Sequence, residues 1–234
     1  RPPAPEWGAM LADARGFVMI MANLTQRQQS RNVPAKVEKR GEQIMSDTPA
    51  KTMTHLTAAE LEANLEHIRQ SPRDNGTLAL IVRRPAVDER EVLTTGELDV
   101  REGLVGDNWR TRGSSRTADG SAHPEMQLNI INARLVALIA PDAARRPLAG
   151  DQLHVDFDLS GENLPPGTRL AIGDAVIEVT AQPHTGCNKF KARFGMDALK
   201  FVNSPVGKEL HLRGINAKVV QSGRIAVGDV VRKL

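Results

Sequence analysis

The sequence is poor in cysteine and in aromatic residues. Its 234 residues include one cysteine, two tryptophans, five phenylalanines and no tyrosine. A single cysteine excludes a disulfide bond within the chain, and so few aromatic rings disfavour a stacking surface for single-stranded nucleic acid. No apolar run approaches the roughly 18 residues that a membrane-spanning helix requires. We therefore expect a cytoplasmic protein that binds no membrane and builds its core from valine, isoleucine and leucine.

The charged residues are mixed in sign. The chain has 31 lysine and arginine residues against 28 aspartate and glutamate residues, a formal net charge of +3. A nucleic-acid-binding surface needs a basic cluster, and the sequence shows none, so we expect no nucleic-acid partner. Small anionic ligands remain compatible with this weakly basic chain.

Three segments differ in their residue patterns. Residues 1–50 are polar and basic apart from one short apolar patch, which is typical of a disordered N-terminal extension. Residues 51–74 contain Thr57-Ala-Ala-Glu60, a capping-box pattern, and we expect one short amphipathic helix to lead from them into the domain. Residues 75–234 form the domain itself.

Short strand-like runs separated by turns dominate that domain. The runs Thr168–Ile172 and Ala175–Thr180 flank Gly173-Asp174, a pattern that predicts a β-hairpin. Many short strands with frequent turns favour a closed sheet, because a barrel removes exposed strand edges. We predict a mainly β fold with a few helices (α+β), built around a β-barrel. Since no βαβ alternation with a glycine fingerprint is present, a Rossmann nucleotide-binding fold is disfavoured.

One predicted strand, Gln152–Leu159, alternates apolar and polar residues. Its polar positions His154, Asp156 and Asp158 fall on one face of the strand. A site for a hard metal ion is conceivable there, but we expect a solvated polar face.

The single cysteine, Cys187, lies in the polar loop Ala181-Gln-Pro-His-Thr-Gly-Cys-Asn-Lys-Phe190. A thiolate is the nucleophile and the soft-metal ligand, and neighbouring cations favour its formation, so His184 and Lys189 are placed to help. His184 is also a candidate to orient or deprotonate the thiol. Two interpretations stay open for Cys187, a functional thiol or a small buried residue without a chemical role. The alternative for His184 is a hydrogen-bonded histidine at the surface or in a supporting position.

Five short motifs occur in a definite order. They are Gly161-Glu-Asn-Leu164, Gly167-Thr-Arg-Leu-Ala-Ile-Gly-Asp174, Ile177-Glu-Val-Thr180, Cys187-Asn-Lys-Phe190 and Gly228-Asp229. In order and spacing they resemble the MOSC domain, the C-terminal domain of molybdenum cofactor sulfurases, and the resemblance covers roughly residues 75–234. It implies a MOSC-type β-barrel, a functional cysteine in this loop, and molybdenum cofactor (molybdopterin) as the bound group.

The resemblance implies two activities for Cys187. In the reductases of the family the matching cysteine ligates molybdenum and N-hydroxylated compounds are reduced, so the first hypothesis is an oxidoreductase with Cys187 as metal ligand. The second is a sulfur carrier in cofactor sulfuration, with a persulfide on Cys187. A third hypothesis is a noncatalytic cofactor-binding barrel.

Partners follow from what the sequence given does not contain. It has no pyridoxal phosphate-dependent desulfurase domain, so pyridoxal phosphate is an association of the family only, and it has no iron–sulfur or flavin motif. We therefore expect an electron donor or a cysteine desulfurase as partner, and a small-molecule substrate.

The phosphate of the implied cofactor calls for arginine and lysine side chains. The basic residues of the long loop before residue 124 and those that follow the cysteine are candidates, each with a solvated surface residue as the alternative. They are Arg110, Arg112, Arg116, Lys189, Lys191 and Arg193. Arg213 lies beyond the cysteine loop and is a candidate to shape its pocket.

Overall fold

The computed structural model describes residues 55–234, and this part of the chain begins with two short helices, α1 (Ala58–Ala63) and α2 (Leu65–Arg69). The predicted capping box is confirmed, since Thr57 and Glu60 exchange hydrogen bonds at the start of α1. The predicted single helix is interrupted at Asn64, whose φ of −97° and ψ of 1° are not helical. The extension predicted for residues 1–50 lies outside the described residues.

The remaining elements are mostly short strands. The strands of the described residues are β1 (Gly76–Arg83), β2 (Glu91–Leu93), β3 (Thr95–Asp99), β4 (Gly103–Leu104), β5 (Leu128–Asn132), β6 (Leu153–Asp156), β7 (Arg169–Ile172), β8 (Ala175–Val179), β9 (Ile215–Gln221), β10 (Gly223–Ala226) and β11 (Val230–Lys233). The further helices are α3 (Trp109–Arg112), α4 (Ala133–Ile139), α5 (Asn188–Asn203) and α6 (Pro205–Glu209), with 3-10 turns at Pro124–Met126 and Ala143–Ala149.

Seven of these strands close into a barrel, which confirms the predicted fold class. Their order is β11-β7-β8-β9-β5-β6-β1, and β11 pairs back onto β1. All of these pairs are antiparallel except β5 with β6, which makes the barrel mixed. Strand β2 pairs with β1 in antiparallel orientation outside the barrel. Strands β10, β3 and β4 form a second, three-stranded sheet. Closure satisfies the backbone edges that an open sheet would expose.

The β7–β8 hairpin forms where the sequence predicts it. Ile172 pairs with Ala175, so Gly173 and Asp174 make a two-residue turn. Gly173 has a φ of +54°, a conformation that glycine adopts without steric cost.

The structure has two apolar cores, one inside the barrel and one outside its wall. The interior is filled by inward-pointing aliphatic residues together with Phe157. The outer core packs α1, α2, α4 and α5 against the wall and includes Leu61, Ile131, Phe190 and Phe194. Helix α5 is kinked at Gly195, where φ is +92° and ψ is 170°.

This outer core overturns one expectation about β6. His154 is only 2% exposed, so it does not lie on a solvated face, because the outer helices cover that side of the barrel. Asp156 follows the prediction better, since it stays partly exposed and forms an ion pair with Arg134 at 2.7 Å. Within residues 55–234 no three potential ligands cluster as a metal site would require.

No helix in the described part of the chain is long and apolar enough to span a bilayer.

Candidate functional site

The cysteine loop joins β8 to α5 and is held by the far end of that helix. The Gly186 N–H donates to Asn203 Oδ1 at 3.0 Å, and Asn203 Nδ2 donates to the Gly186 carbonyl at 3.4 Å. A Cβ added at Gly186 would lie 2.7 Å from Leu199 Cδ1, so the loop packs closely on the helix. Cys187 comes directly before α5, is exposed, and is a free thiol.

Cys187 opens into a cavity of about 300 Å³, which we call the first cavity. This volume lies at the lower end of the range for small-molecule sites. Its floor is lined by Arg84 and Arg213. We count with the floor the two carboxylates that bind these arginines, Asp107 and Asp151, which do not themselves line the cavity. Its rim consists of Asp88, Arg90, Arg112, Lys189 and Arg193.

The first floor pair joins the end of β1 to the loop after β4. Arg84 Nε and Nη2 donate to the two carboxylate oxygens of Asp107, each at 2.8 Å, and both side chains are buried. Arg84 Nη1 also donates to Asn129 Oδ1 at 2.9 Å. Asp107 in turn accepts from the Trp109 N–H at 2.9 Å. A bidentate pair with these additional bonds fixes the orientation of the guanidinium.

The second floor pair lies below the cysteine loop. Arg213 Nη1 donates to both carboxylate oxygens of Asp151 at 2.9 Å, and its guanidinium carbon is 5.0 Å from the centre of the Phe190 ring. Burial raises the pKa of Asp151, although the charge of Arg213 opposes this. His184 Nδ1 is 3.4 Å from Asp151 Oδ1 but makes no hydrogen bond.

His184 is neutral in this environment. Burial holds the pKa of His184 well below its ordinary value, and the positive charges of Arg213, Arg84 and Arg116 act in the same direction. Among the described residues no hydrogen bond joins His184 to the Cys187 thiol. The imidazole therefore forms part of the cavity wall as an uncharged group.

The rim is held together by two ion pairs to the exposed carboxylate of Asp88. Lys189 Nζ lies 3.1 Å and Arg193 Nη2 2.9 Å from Asp88 Oδ1. Arg193 also donates to the Leu148 carbonyl at 2.9 Å. Burial lowers the pKa of Arg90, and the charges of Arg193 and Arg84 lower it further, but an arginine stays charged at neutral pH.

Positive charge exceeds negative charge at the cavity. Floor and rim hold six cationic side chains against three carboxylates, an excess of three. Like charges brought together without counterions are unfavourable, and a bound anion would relieve the repulsion.

Unpartnered polar atoms are concentrated at the same place. Within residues 55–234 five buried side-chain nitrogen or oxygen atoms have no hydrogen-bond partner, and four of them belong to residues that line the first cavity. The four are Arg90 Nε, Asn108 Oδ1, His184 Nδ1 and Arg213 Nε. Buried polar atoms are rarely left unpaired in proteins, so this cluster fits a ligand rich in hydrogen-bonding groups.

The structure brings together only part of the predicted set. Arg112, Lys189 and Arg193 line the cavity with Cys187 and His184, and so does Arg213, whereas the other three basic candidates do not. Those three are Arg110, Arg116 and Lys191. No pattern in the sequence points to Arg90, Asp107 or Asp151 as site residues, and Arg84 is not among the predicted set. One signal was present for Arg84, an arginine placed between a buried strand and a proline.

Comparison with known proteins identifies relatives of this fold. A model of the MOSC domain matches residues 48–232. The YuaD protein from Bacillus subtilis is similar in structure, with 14% identity over 68% of this chain and 95% of that chain and a TM-score of 0.52. YiiM from Escherichia coli is similar with 18% identity over 68% of this chain and 69% of that chain and a TM-score of 0.44. No curated protein matches the sequence significantly.

Proposed function

The chain belongs to the MOSC domain family, which is associated with molybdenum cofactor binding, and on this premise we propose that the first cavity binds molybdenum cofactor with Cys187 as the protein ligand of the metal. Membership confirms the resemblance seen in the sequence, and the match begins at residue 48, before the motifs that suggested it. One observation carries the proposal: the only thiol of the chain lines the cavity where excess positive charge and unpartnered polar atoms coincide.

The residues of the cavity fit this group chemically. A thiolate is a suitable ligand for a soft metal centre. Cys187 is exposed, so a metal can reach its sulfur. Arginine and lysine side chains suit a phosphate, so we assign Arg112, Lys189 and Arg193 to the phosphate of the cofactor. Arg110 and Arg116 do not line the cavity, so we assign them at most contacts with the part of the cofactor that lies outside it.

The reaction that we propose is the reduction of an N-hydroxylated or similar small molecule. The N–O bond breaks, two electrons and two protons are consumed, and the reduced nitrogen compound and water are formed. When bound, the cofactor supplies the redox chemistry, and a partner protein supplies the electrons. His184 lines the wall as a neutral imidazole, and because burial and the nearby arginines lower its pKa, we assign it a hydrogen-bonding role and not that of a base. The cytoplasmic location remains a prediction.

Metal analysis tests the ligand assignment. After expression in a host that makes molybdenum cofactor, we expect nearly one molybdenum per wild-type chain and its loss in Cys187→Ser. Lys191→Ala is the matched control, because Lys191 is exposed on the same helix and does not line the cavity. Equal metal in wild type and Cys187→Ser would overturn the ligand role, and metal-free wild type would overturn the cofactor proposal.

The exposure of Cys187 favours a second candidate function. A sulfur carrier needs a thiol that a partner can reach, and Cys187 is open to solvent. Sulfane sulfur from a desulfurase persulfide would move to the Cys187 thiolate, with one S–S bond broken and another formed. Incubation with a cysteine desulfurase and cysteine should then add one sulfur mass at Cys187. An unchanged mass would remove this candidate.

A further inference from the structure

A second cavity of about 430 Å³ lies beyond the wall of the first. The two cavities share only His184 and Arg213, and Cys187 does not line the second. The second cavity is bounded by the first half of the cysteine loop, by the end of α5 with α6, and by the loop before β7. A ligand there would touch the back of the His184 wall without reaching the thiol.

The body of the second cavity is apolar. Aliphatic side chains from the barrel, from α5 and from the loop before β7 form most of its lining. They include Leu164, Pro166, Val179, Val202 and Ile215. A largely apolar concave site with few polar groups is typical of small-molecule binding.

The charged groups at this cavity are all basic. Lys208 and Arg213 line it, and no acidic side chain of residues 55–234 does. The charge of Arg213 is already balanced by Asp151. Lys208 is therefore the uncompensated cation of the second cavity, and one negative charge on a ligand would match it.

His211 offers a second polar contact. Its Nδ1 is 2.7 Å from the Leu159 carbonyl, and because a carbonyl only accepts, Nδ1 carries the proton. The Nε2 atom is then an acceptor, open to a hydrogen-bond donor of a ligand and not to a carboxylate. The backbone φ of His211 is +47°, a conformation that is uncommon outside glycine, so the surrounding structure holds this residue in place.

We propose that the second cavity binds a small organic monoanion, an apolar body with one carboxylate that faces Lys208. The apolar body would pack on Leu164, Val179 and Val202. This site is separate from the thiol, so the inference goes beyond the proposed function and does not depend on it.

Binding of benzoate, compared with uncharged benzamide, tests the proposal. The two probes have the same shape and differ in charge. By ligand-observed NMR titration we expect benzoate to bind wild type at least about fivefold more tightly than benzamide, roughly 1 kcal/mol. Lys208→Ala should remove most of this preference. Lys200→Ala is the matched control, because Lys200 is exposed on α5 and lines neither cavity.

Two further variants locate the bound anion. Cys187→Ser and Lys189→Ala alter the first cavity only, so benzoate affinity should stay at the wild-type value in both. Loss of binding in either variant would place the anion in the first cavity and overturn the proposal. It would equally be overturned by equal affinities for benzoate and benzamide, by an unaffected Lys208→Ala variant, or by no binding of either probe at millimolar concentration.

Discussion

The floor and the rim of the first cavity contain the same kinds of ion pair in opposite surroundings. In the floor, the side chains of Arg84 and Asp107 are 4% and 0% exposed. In the rim, Lys189 and Asp88 are 62% and 59% exposed. A buried charge that loses its partner is strongly destabilising, whereas an exposed ion pair contributes little to stability. The floor pairs are therefore needed for stability. At the rim, an anionic ligand can replace Asp88 as the partner of the basic side chains at little cost in stability.

Removal of one floor carboxylate should have the largest effect on stability. Asp107→Asn keeps the shape of the side chain but leaves the buried Arg84 guanidinium without its counterion. We expect the free energy of unfolding to fall by about 3–5 kcal/mol, measured by urea denaturation. The rim variant Asp88→Asn is the control and should barely change it, since Asp88 is exposed.

A double variant checks the cause of that loss. In Arg84→Gln/Asp107→Asn no unpaired charge remains in the floor, so part of the stability should return. If Asp88→Asn destabilised the protein as much as Asp107→Asn, or if the double variant were no better than Asp107→Asn alone, the distinction between floor and rim would fail.

The same distinction explains what could be predicted from the sequence. The β7–β8 hairpin and the capping box at Thr57 depend on neighbouring residues, so local patterns reveal them. The floor pairs join residues far apart in the chain: Arg84 and Asp107 are 23 positions apart, and Asp151 and Arg213 are 62 positions apart. These partners meet only in the folded tertiary structure, and no local pattern encodes that pairing.

The candidate site divides in a similar way. Cys187, Lys189 and Arg193 stand within one short stretch next to the predicted loop, and all three line the cavity. Arg110 and Arg112 are only two positions apart, yet Arg112 alone lines it. In the short helix α3 the direction of each side chain depends on how Trp109 packs, and Trp109 is buried. The clustered arginines therefore predict the correct loop, but tertiary packing determines which of them lines the cavity.

A buried histidine behind the floor should make stability depend on pH. The pKa of His154 is lowered from 6.5 to about 4, first by burial and then by the charges of Arg213 and Arg146, against a hydrogen bond with the Asp151 backbone. Between these two pH values the unfolded chain binds a proton that the folded chain does not. Stability is therefore complete above about pH 6.5 and falls as the pH drops toward 4, by about 2 kcal/mol from pH 7 to pH 5.

Substitution of His154 tests that linkage. In His154→Gln the decrease in unfolding free energy between pH 7 and pH 5 should shrink by about 2 kcal/mol, measured by urea denaturation at each pH. His67→Gln is the matched control, because His67 is exposed on α2 and should leave the slope unchanged. An identical pH slope in wild type and His154→Gln would show that the proton is taken up elsewhere, with His184 as the next group to substitute.

Charge removal at the rim should have the smallest effect on stability and a clear effect on the ligand. We expect Arg112→Ala/Lys189→Ala to unfold at nearly the wild-type urea concentration, because both side chains are exposed. Molybdenum retention after dialysis should fall and become more sensitive to salt, since two of the cations assigned to the phosphate are gone. Lys191→Ala/Lys200→Ala removes the same charge from positions outside the cavity and should retain the metal as wild type does. If both double variants kept the metal equally at low and high salt, the rim would be only a solvated edge, and the phosphate would have to bind at the unpartnered groups of Arg90 and Arg213.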